Sequence, residues 1–376
     1  MNLSDWLLPS TNSRFQKRRK FRQIFYLRNG IHIGSYLQDM RRSGVRPLRY
    51  LSHLGMIIGE HETNFASQSL EGHPDVEYTE PDISITITEP YVGTITPVQT
   101  PTMPWGVELI DAAKVWPYTR GRGVRVAVID TGVSGEHPAI RGNYRGGVNI
   151  LSPNADPQDF NGHGTHVAGI IAGRATESGI VGVAPRVYIY GVKAFNRKGS
   201  ANLSDLLSAI NWCIENKMQI VNMSFGMEKM SESMRQAIQI AHRKGIVMVA
   251  ASGNQGFASK IDYPARYPET IAVTSISKNG HLSQFSNMGK GVDIAAPGDK
   301  IPSAWLNHSK REMSGTSMAV PHVTGTIALL LYLNRSLNPE QIRYILMQSS
   351  TKLKHLAGIG LINAYQAITF YKRLKR

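Results

Sequence analysis

The chain of 376 residues is poor in cysteine, since it contains only Cys213. A single cysteine excludes an intramolecular disulfide, and its place in an apolar helical pattern predicts a core position. Residues 1–9 lack the basic stretch followed by an apolar one that marks a secretory signal. No run approaches the roughly eighteen apolar residues of a membrane-spanning helix. These absences favour a cytoplasmic location, with export by another route as the alternative.

Acidic residues are scarce relative to basic ones, with 27 Asp and Glu against 42 Lys and Arg, which gives a net charge of +15. Such an excess can attract nucleic acid or an anionic surface. Here the basic residues cluster in residues 14–22 and 371–376, and no nucleic-acid recognition motif accompanies them. We therefore interpret the charge as solubility plus basic tails, with residues 1–20 forming a basic N-terminal arm and no nucleic-acid partner.

Residues 104–376 alternate apolar runs of strand length with helical patterns. The runs that we predict to be strands are residues 124–129, 187–192, 220–223, 246–251 and 271–273, and the predicted helices are 163–173, 203–216 and 231–244. Strands that are apolar throughout are typical of a parallel sheet covered by helices on both faces. We therefore predict an α/β domain whose functional residues lie at the carboxyl ends of the strands.

A smaller domain precedes this one. Its pattern predicts strands at 21–27, 46–59 and 76–85 and helices at 35–42 and 64–70, which makes a small α+β domain over residues 21–88. Residues 89–103 contain Pro90, Pro97 and Pro101 among Thr, Gly and Gln. That composition is typical of a linker.

The stretch Met-Ser-Gly-Thr-Ser-Met-Ala-Val-Pro-His-Val-Thr-Gly at 313–325 places Ser317 between a glycine turn and an apolar helix over 318–333. At a helix N-terminus, free N–H groups and the helix dipole favour a developing negative charge. Pro321 would fall in the first turns, where its missing N–H costs little. Taken alone, Ser317 is better explained as an ordinary N-cap.

Two further stretches contain the groups that activate a serine. Residues 126–133 end an apolar strand at Asp130, and residues 161–169 place His163 at the start of a helix. A serine hydroxyl is a poor nucleophile unless a neutral imidazole takes its proton, and a carboxylate must orient that imidazole. The chain order Asp130, His163, Ser317 is the order found in subtilisin.

With these three motifs, the sequence resembles the subtilisin-like serine proteases (subtilases) from about residue 104 to residue 367. The resemblance implies peptide-bond hydrolysis with Ser317 as nucleophile, His163 as general base and Asp130 as orienting carboxylate. It also implies that the side-chain amide of Asn254 donates to the oxyanion together with the backbone N–H of Ser317. The chemistry then needs no cofactor.

The resemblance extends to the N-terminal domain. The order of elements in residues 21–88 and the phrase His-Pro-Asp-Val-Glu-Tyr-Thr-Glu-Pro-Asp at 73–82 resemble the inhibitory propeptide of subtilases. The chain would then be a self-processing zymogen that is cut within residues 89–103. The alternative is an accessory domain without an inhibitory role.

In the family, the segment that matches Ser224, Phe225 and Gly226 lines the pocket for the side chain before the scissile bond. The segment that matches Gly199, Ser200 and Ala201 pairs with the substrate backbone. Ala201 itself and Met227 stand where the family often has glycine. Both residues narrow the groove, so digestion of many proteins is a weaker expectation than peptide cleavage.

Asp262 precedes the Tyr263-Pro264 pair that closes the primary pocket in the family, where a small residue is common. A carboxylate there would favour Lys or Arg before the scissile bond. In one alternative, a loop shorter than usual leaves Asp262 on the surface; in the other, Lys260 or Arg266 neutralises it.

The calcium-binding features of the family are largely missing. Residues 174–179 contain no asparagine, and Ala139 stands where the family has a partner aspartate. We therefore expect no tight calcium site and assign no metal ligands. Asn154, Asp156 and Asp159 form either a weaker structural calcium site or a polar surface loop.

Together these patterns predict a subtilisin-like serine endopeptidase that acts on protein or peptide substrates. Three alternatives remain: a narrow processing protease for one partner protein, a non-catalytic relative that binds peptides, and a nucleic-acid binder.

Overall fold

The computed structural model describes residues 20–28, 30, 32–62, 70–87, 89–96, 103–174, 179–353, 356 and 358–375. The chain divides into two compact units: Met1–Tyr50 with Met56–Pro81, and Leu51–Gly55 with Asp82–Arg376. The first unit ends at Pro81, before the predicted boundary at residue 88, because the residues that follow pair with strands of the second unit.

The first unit contains a four-stranded sheet and one described helix. Its elements are β1 (Phe21–Leu27), α1 (Ile33–Arg42), β2 (Arg46–Leu51), β3 (Met56–His61) and β4 (Val76–Pro81). The strand order is β2-β3-β1-β4, and β1 pairs antiparallel with both β3 and β4. The predicted strand 46–59 is two strands, and the predicted helix at 64–70 falls almost entirely outside the described residues. Phe25, Tyr36 and Met40 form part of a buried apolar core.

The second unit is built on a nine-stranded sheet of order β17-β18-β14-β13-β12-β11-β7-β9-β8. These strands are β7 (Arg125–Asp130), β8 (Tyr144–Asn149), β9 (Tyr188–Lys193), β11 (Ile220–Met223), β12 (Val247–Ala251), β13 (Thr270–Ile276), β14 (Ile294–Pro297), β17 (Thr351–Lys352) and β18 (Gly360–Leu361). All neighbouring pairs are parallel except β17 with β18. The predicted α/β fold with a mostly parallel sheet is confirmed.

Helices cover this sheet. The helices of the second unit are α2 (Trp105–Leu109), α3 (His163–Ala172), α4 (Leu203–Glu215), α5 (Glu232–Arg243), α6 (Thr316–Leu333), α7 (Pro339–Gln348) and α8 (Ala364–Leu374). The central helix α6 packs along β11, β12, β13 and β14 and against α3. By length and apolarity α6 resembles a membrane span, but 89% of it is buried inside the protein. It is the core helix, and it begins two residues before the predicted helix over 318–333.

Two small sheets complete the second unit. Strand β5 (Ser84–Thr86) pairs antiparallel with β10 (Ser200–Asn202). Strand β6 (Tyr91–Thr96) joins β15 (Ile301–Ala304) and β16 (Lys310–Ser314) in the order β15-β16-β6. The stretch predicted as a linker, residues 89–103, therefore contains a strand, because β16 offers β6 an edge with which to pair.

Candidate active site

Asp130 ends β7 and His163 begins α3, and their side chains meet inside the protein. His163 Nδ1 lies 2.8 Å from Oδ1 and 2.9 Å from Oδ2 of Asp130. Asp130 is 0% exposed and His163 is 2% exposed. The backbone N–H of Thr131 donates to Asp130 Oδ1 at 2.7 Å, which fixes the carboxylate. The carboxylate therefore sets the orientation of the imidazole and keeps the Nδ1 proton in place.

The turn before α3 is held by a buried carboxylate, Asp159, which is 2% exposed. Its oxygens accept from Thr131 Oγ1 at 2.9 Å, from the backbone N–H of Gly162 at 2.9 Å and from Thr165 Oγ1 at 2.7 Å. Gly162 has φ of 109°, and a side chain there would collide with the Trp305 ring. This network holds His163 in position, so Asp159 is not part of a polar surface loop.

The calcium expectation concerns Ala139 and the segment 174–179. Ala139 is buried and carries no ligand, and of the segment 174–179 the residues 175–178 lie outside the described part. Within the described ranges, no group of three His, Cys, Asp or Glu side chains could hold a metal ion.

Ser317 is the second residue of α6 and is 3% exposed. Its Oγ donates to the carbonyl oxygen of Ser224 at 3.1 Å, and Ser224 Oγ donates back to the carbonyl oxygen of Ser317 at 2.9 Å. Pro321 is the sixth residue of α6, within the predicted first turns but past the positions whose N–H groups have no partner in the helix. It has no N–H for the Ser317 carbonyl one turn earlier, and Ser224 supplies a donor instead.

Asn254 follows β12 and faces the same helix end. Its Oδ1 accepts from the backbone N–H of Thr316 at 2.8 Å and from Thr316 Oγ1 at 2.9 Å. These two hydrogen bonds hold the Asn254 amide with its oxygen toward Thr316. Its nitrogen, Nδ2, therefore lies on the side of the amide away from Thr316. Asn254 and Ser317 line one cavity of about 230 Å³.

A second carboxylate, Glu89, reaches the other side of the His163 ring. Glu89 Oε1 lies 3.0 Å from His163 Nε2, and the Glu89 side chain is 4% exposed. Within the described part of the chain, Oε2 has no hydrogen-bond partner, and it lies where a side chain at Gly315 would be. His163 Nε2 thus contacts Glu89, while Ser317 Oγ turns to Ser224. The sequence analysis missed Glu89, although it is the only charged residue between Asp82 and Glu108.

The two carboxylates change the protonation of His163. Burial alone would lower the pKa of His163, but Asp130 and Glu89 outweigh burial and raise the pKa to about 10. At neutral pH the ring is therefore an imidazolium ion that donates to both carboxylates. An imidazolium ion has no lone pair with which to accept a proton.

The segment before Glu89 runs along the edge predicted to pair with substrate. Ser84, Ile85 and Thr86 pair antiparallel with Asn202, Ala201 and Ser200. The backbone pairing continues beyond both ends of this strand. Ile87 N–H donates to the Gly199 carbonyl and Leu203 N–H donates to the Ile83 carbonyl, each at 2.8 Å. Asp82 anchors its start, since its carboxylate accepts from Ser204 N–H at 2.8 Å at the beginning of α4.

The predicted site residues lie together around this segment. The cavity that Ser317 lines is also lined by Thr86, Ile87, Ser224, Phe225, Gly226, Asn254 and Asp262. Asp262 is 5% exposed, so it does not lie on the surface. Lys260 is exposed, and the Arg266 guanidinium lies 5.4 Å from the centre of the Tyr263 ring. Among the described residues, no ion pair neutralises Asp262.

Comparison with known proteins identifies a protein family that matches most of the chain. Residues 121–364 match the Subtilase family. The chain is 38% identical over 304 residues to the alkaline protease of Alkalihalobacillus alcalophilus, covering 80% of this chain and 76% of that protein. It is 40% identical over 270 residues to subtilisin Savinase of Lederbergia lenta, covering 70% and 98%. It is 37% identical over 316 residues to the thermostable alkaline protease of Halalkalibacterium halodurans, covering 83% and 82%.

These relatives correct one prediction and confirm another. The predicted cytoplasmic location is wrong, because relatives that are alkaline proteases and subtilisins point to export from the cell. The predicted enzyme class is confirmed by the family match and by the names of the relatives. The chain therefore belongs to the subtilase family and is a subtilisin-like serine endopeptidase.

Proposed function

We propose that Ser317 is the nucleophile of this peptidase, that His163 is its general base and that Asp130 orients His163. The proposal is carried by the Asp130–His163 contact, buried beside a helix whose second residue is Ser317. Neutral His163 takes the Ser317 proton at Nε2 as Oγ attacks the peptide carbonyl. The same nitrogen then gives the proton to the leaving amine, and water releases the acyl group by the reverse sequence.

Asn254 and the backbone N–H of Ser317 would stabilise the oxyanion of this reaction. Asn254 Oδ1 is occupied by Thr316, which supports a role for the amide nitrogen rather than the oxygen toward the substrate. The N-terminus of α6 adds a positive partial charge at the same place. Groups held in advance near the developing charge stabilise the transition state more than the ground state.

We further propose that the chain is made as a self-processing zymogen. The proposal rests on the strand Ser84–Thr86, which occupies the edge of β10, and on Glu89, whose carboxylate contacts His163. The target of self-cleavage would lie between Ile87, which lines the Ser317 cavity, and Glu89, and thus just before the stretch 89–103 in which the sequence predicted it. Glu89 must leave His163 before that cut, because His163 has to lose a proton to act as a base.

In this proposal, residues 21–81 are the propeptide and therefore an intramolecular partner of the protease. They precede the cleft segment, by which we mean residues 82–87 that run along β10, so one cut between Ile87 and Glu89 would separate them covalently from the catalytic unit. The segment paired with β10 would then behave as a product that remains until it dissociates. The substrates of the mature enzyme would bind β10 by the same backbone pairing.

Mass spectrometry of the expressed protein tests both proposals. Wild type should lose the residues up to the region between Ile87 and Glu89 and should hydrolyse peptides. Ser317→Ala should stay full length and hydrolyse none. Ser336→Ala, which changes an exposed serine, is the matched control and should behave as wild type. Equal processing of Ser317→Ala and wild type would contradict self-cleavage, and peptide hydrolysis by Ser317→Ala would contradict the assigned nucleophile.

A further inference from the structure

The cavity beside Ser317 has an acidic wall. Of the described residues that line it, two carry a charge, Glu228 and Asp262, and both are acidic. Its volume of about 230 Å³ exceeds the roughly 150 Å³ of an engineered cavity that binds benzene, so it can take one large side chain. A wall with carboxylates and without a cation favours an occupant of positive charge.

Two glycines, Gly226 and Gly253, leave the Asp262 carboxylate exposed to the cavity. A Cβ atom added to Gly226 would lie 2.6 Å from Asp262 Oδ2, and one added to Gly253 would lie 2.6 Å from the same oxygen. Any side chain at either position would therefore displace the carboxylate. The absence of side chains at these two positions leaves the Asp262 carboxylate at the cavity wall.

The Asp262 carboxylate is held in place with unused hydrogen-bonding capacity. Gln255 Nε2 donates to Oδ2 at 3.2 Å, and Asp262 N–H donates to the Ser252 carbonyl at 2.9 Å. Within the described residues Oδ1 accepts no hydrogen bond. A buried carboxylate with a free oxygen and no ion pair is stabilised by a cationic partner that fills the cavity.

The charged groups around Asp262 do not cancel its charge. Glu228 is acidic, Lys260 is exposed, and Arg266 lies over the Tyr263 ring. Burial raises the pKa of Asp262 to about 6, the Gln255 hydrogen bond opposes this rise, and Glu228 adds to it. Asp262 is therefore ionised at neutral and alkaline pH and becomes neutral as the pH falls through about 6.

The cleft segment shows how a substrate side chain would reach this carboxylate. It runs antiparallel to β10, its residues Thr86 and Ile87 line the cavity, and Glu89 reaches His163. A substrate on the same path, with its scissile bond at Ser317, would place the side chain before that bond at the cavity. We propose that Asp262 selects Lys or Arg as the substrate residue before the scissile bond. This inference rests on the proposed role of Ser317.

Three peptides that differ in that residue test the proposal on processed wild-type protein at pH 8: Arg, its neutral isostere citrulline, and Leu. A charge-assisted hydrogen bond predicts that kcat/KM for Arg exceeds that for citrulline by about ten- to a hundredfold. In Asp262→Asn, which keeps the shape of the side chain, this ratio should fall to near one. Glu215→Gln is the matched control, because it removes an exposed carboxylate at the far end of α4, and it should keep the wild-type ratio.

The pH dependence supplies a readout that needs no variant. Because the ionised form of Asp262 attracts Arg, the Arg/citrulline ratio of wild type should decline as the pH falls through about 6. Effects of His163 on the rate apply to both peptides and cancel in the ratio. A ratio that is flat with pH, or equal losses on all three peptides in Asp262→Asn, would overturn the proposal. Failure of wild type to cut any peptide would instead refute the role of Ser317, and the inference with it.

Discussion

The contact between Glu89 and His163 gives the most quantitative prediction. In the uncleaved chain, Glu89→Gln removes a negative charge 3.0 Å from His163 Nε2 and leaves a neutral oxygen that can still accept. Both versions carry Ser317→Ala as background, which should prevent cleavage and keep residues 82–87 attached. The pKa of His163 should fall in Glu89→Gln, because one of its two carboxylate partners has lost its charge.

The expected size of the fall follows from burial. His163 and Glu89 are 2% and 4% exposed, so solvent screens their contact little. A charge-assisted hydrogen bond contributes about 1.5–3 kcal/mol, and one pKa unit corresponds to about 1.36 kcal/mol. The pKa of His163 should therefore drop from about 10 by about one to two units. It should stay above its ordinary value, because Asp130 remains.

Nuclear magnetic resonance titration of the histidine rings measures this shift. The signal of His163 is identified by its absence in His163→Gln. Glu108→Gln, which neutralises an exposed carboxylate on α2, is the control and should leave the pKa of His163 unchanged. A shift below about half a unit in Glu89→Gln would refute the view that Glu89 holds the ring protonated.

Three further predictions concern the oxyanion, the core and pH. Asn254→Ala should lower kcat with little change in KM; removal of this kind of donor costs about 10²–10³-fold in subtilisin itself, and we carry that size over. A loss below tenfold in peptide hydrolysis would contradict the role of Asn254. Gly325→Ala, whose new Cβ would lie 2.5 Å from Val183 Cβ, should destabilise the protein by about 1–3 kcal/mol in thermal unfolding. Gly289→Ala, whose new Cβ would lie at an ordinary contact distance of 4.0 Å from Ile261 Cγ1, should not. Because the raised pKa of His163 stabilises the Glu89 contact at low pH and loses that effect as the pH rises through about 10, self-processing should accelerate toward alkaline pH. A processing rate that falls from pH 7 to pH 10, followed by mass spectrometry, would contradict this.

The parts that could be predicted from the sequence are those with local signals. The strands around β7 and β12 are apolar throughout, which marks a sheet covered on both faces. Asp130 ends a strand, His163 begins a helix and Asn254 comes shortly after a strand. Because the strands are parallel, their carboxyl ends lie at one edge of the sheet, and these residues are expected there. Helix α7 was not predicted, although Asn338 and Gln341 form a capping box at its start.

The parts that could not be predicted depend on distant partners. Strands β5 and β6 lie in a stretch rich in Thr and Pro, and they form because β10 and β16, far along the chain, offer edges. The role of Glu89 requires that β5 places it beside His163. The local sequence around Glu89 does not predict this contact between residues that are far apart in the chain. Pro321 has no N–H to donate to the Ser317 carbonyl, and the hydrogen bond that this carbonyl accepts comes instead from the distant residue Ser224.

The central claim, that His163 activates Ser317, is tested most directly by labelling with a fluorophosphonate. Processed wild type should gain one adduct, and peptide mass spectrometry should locate it on Ser317. His163→Ala should label much more slowly, because the serine hydroxyl then lacks a base. An adduct on another residue, or labelling of His163→Ala at the wild-type rate, would contradict the account.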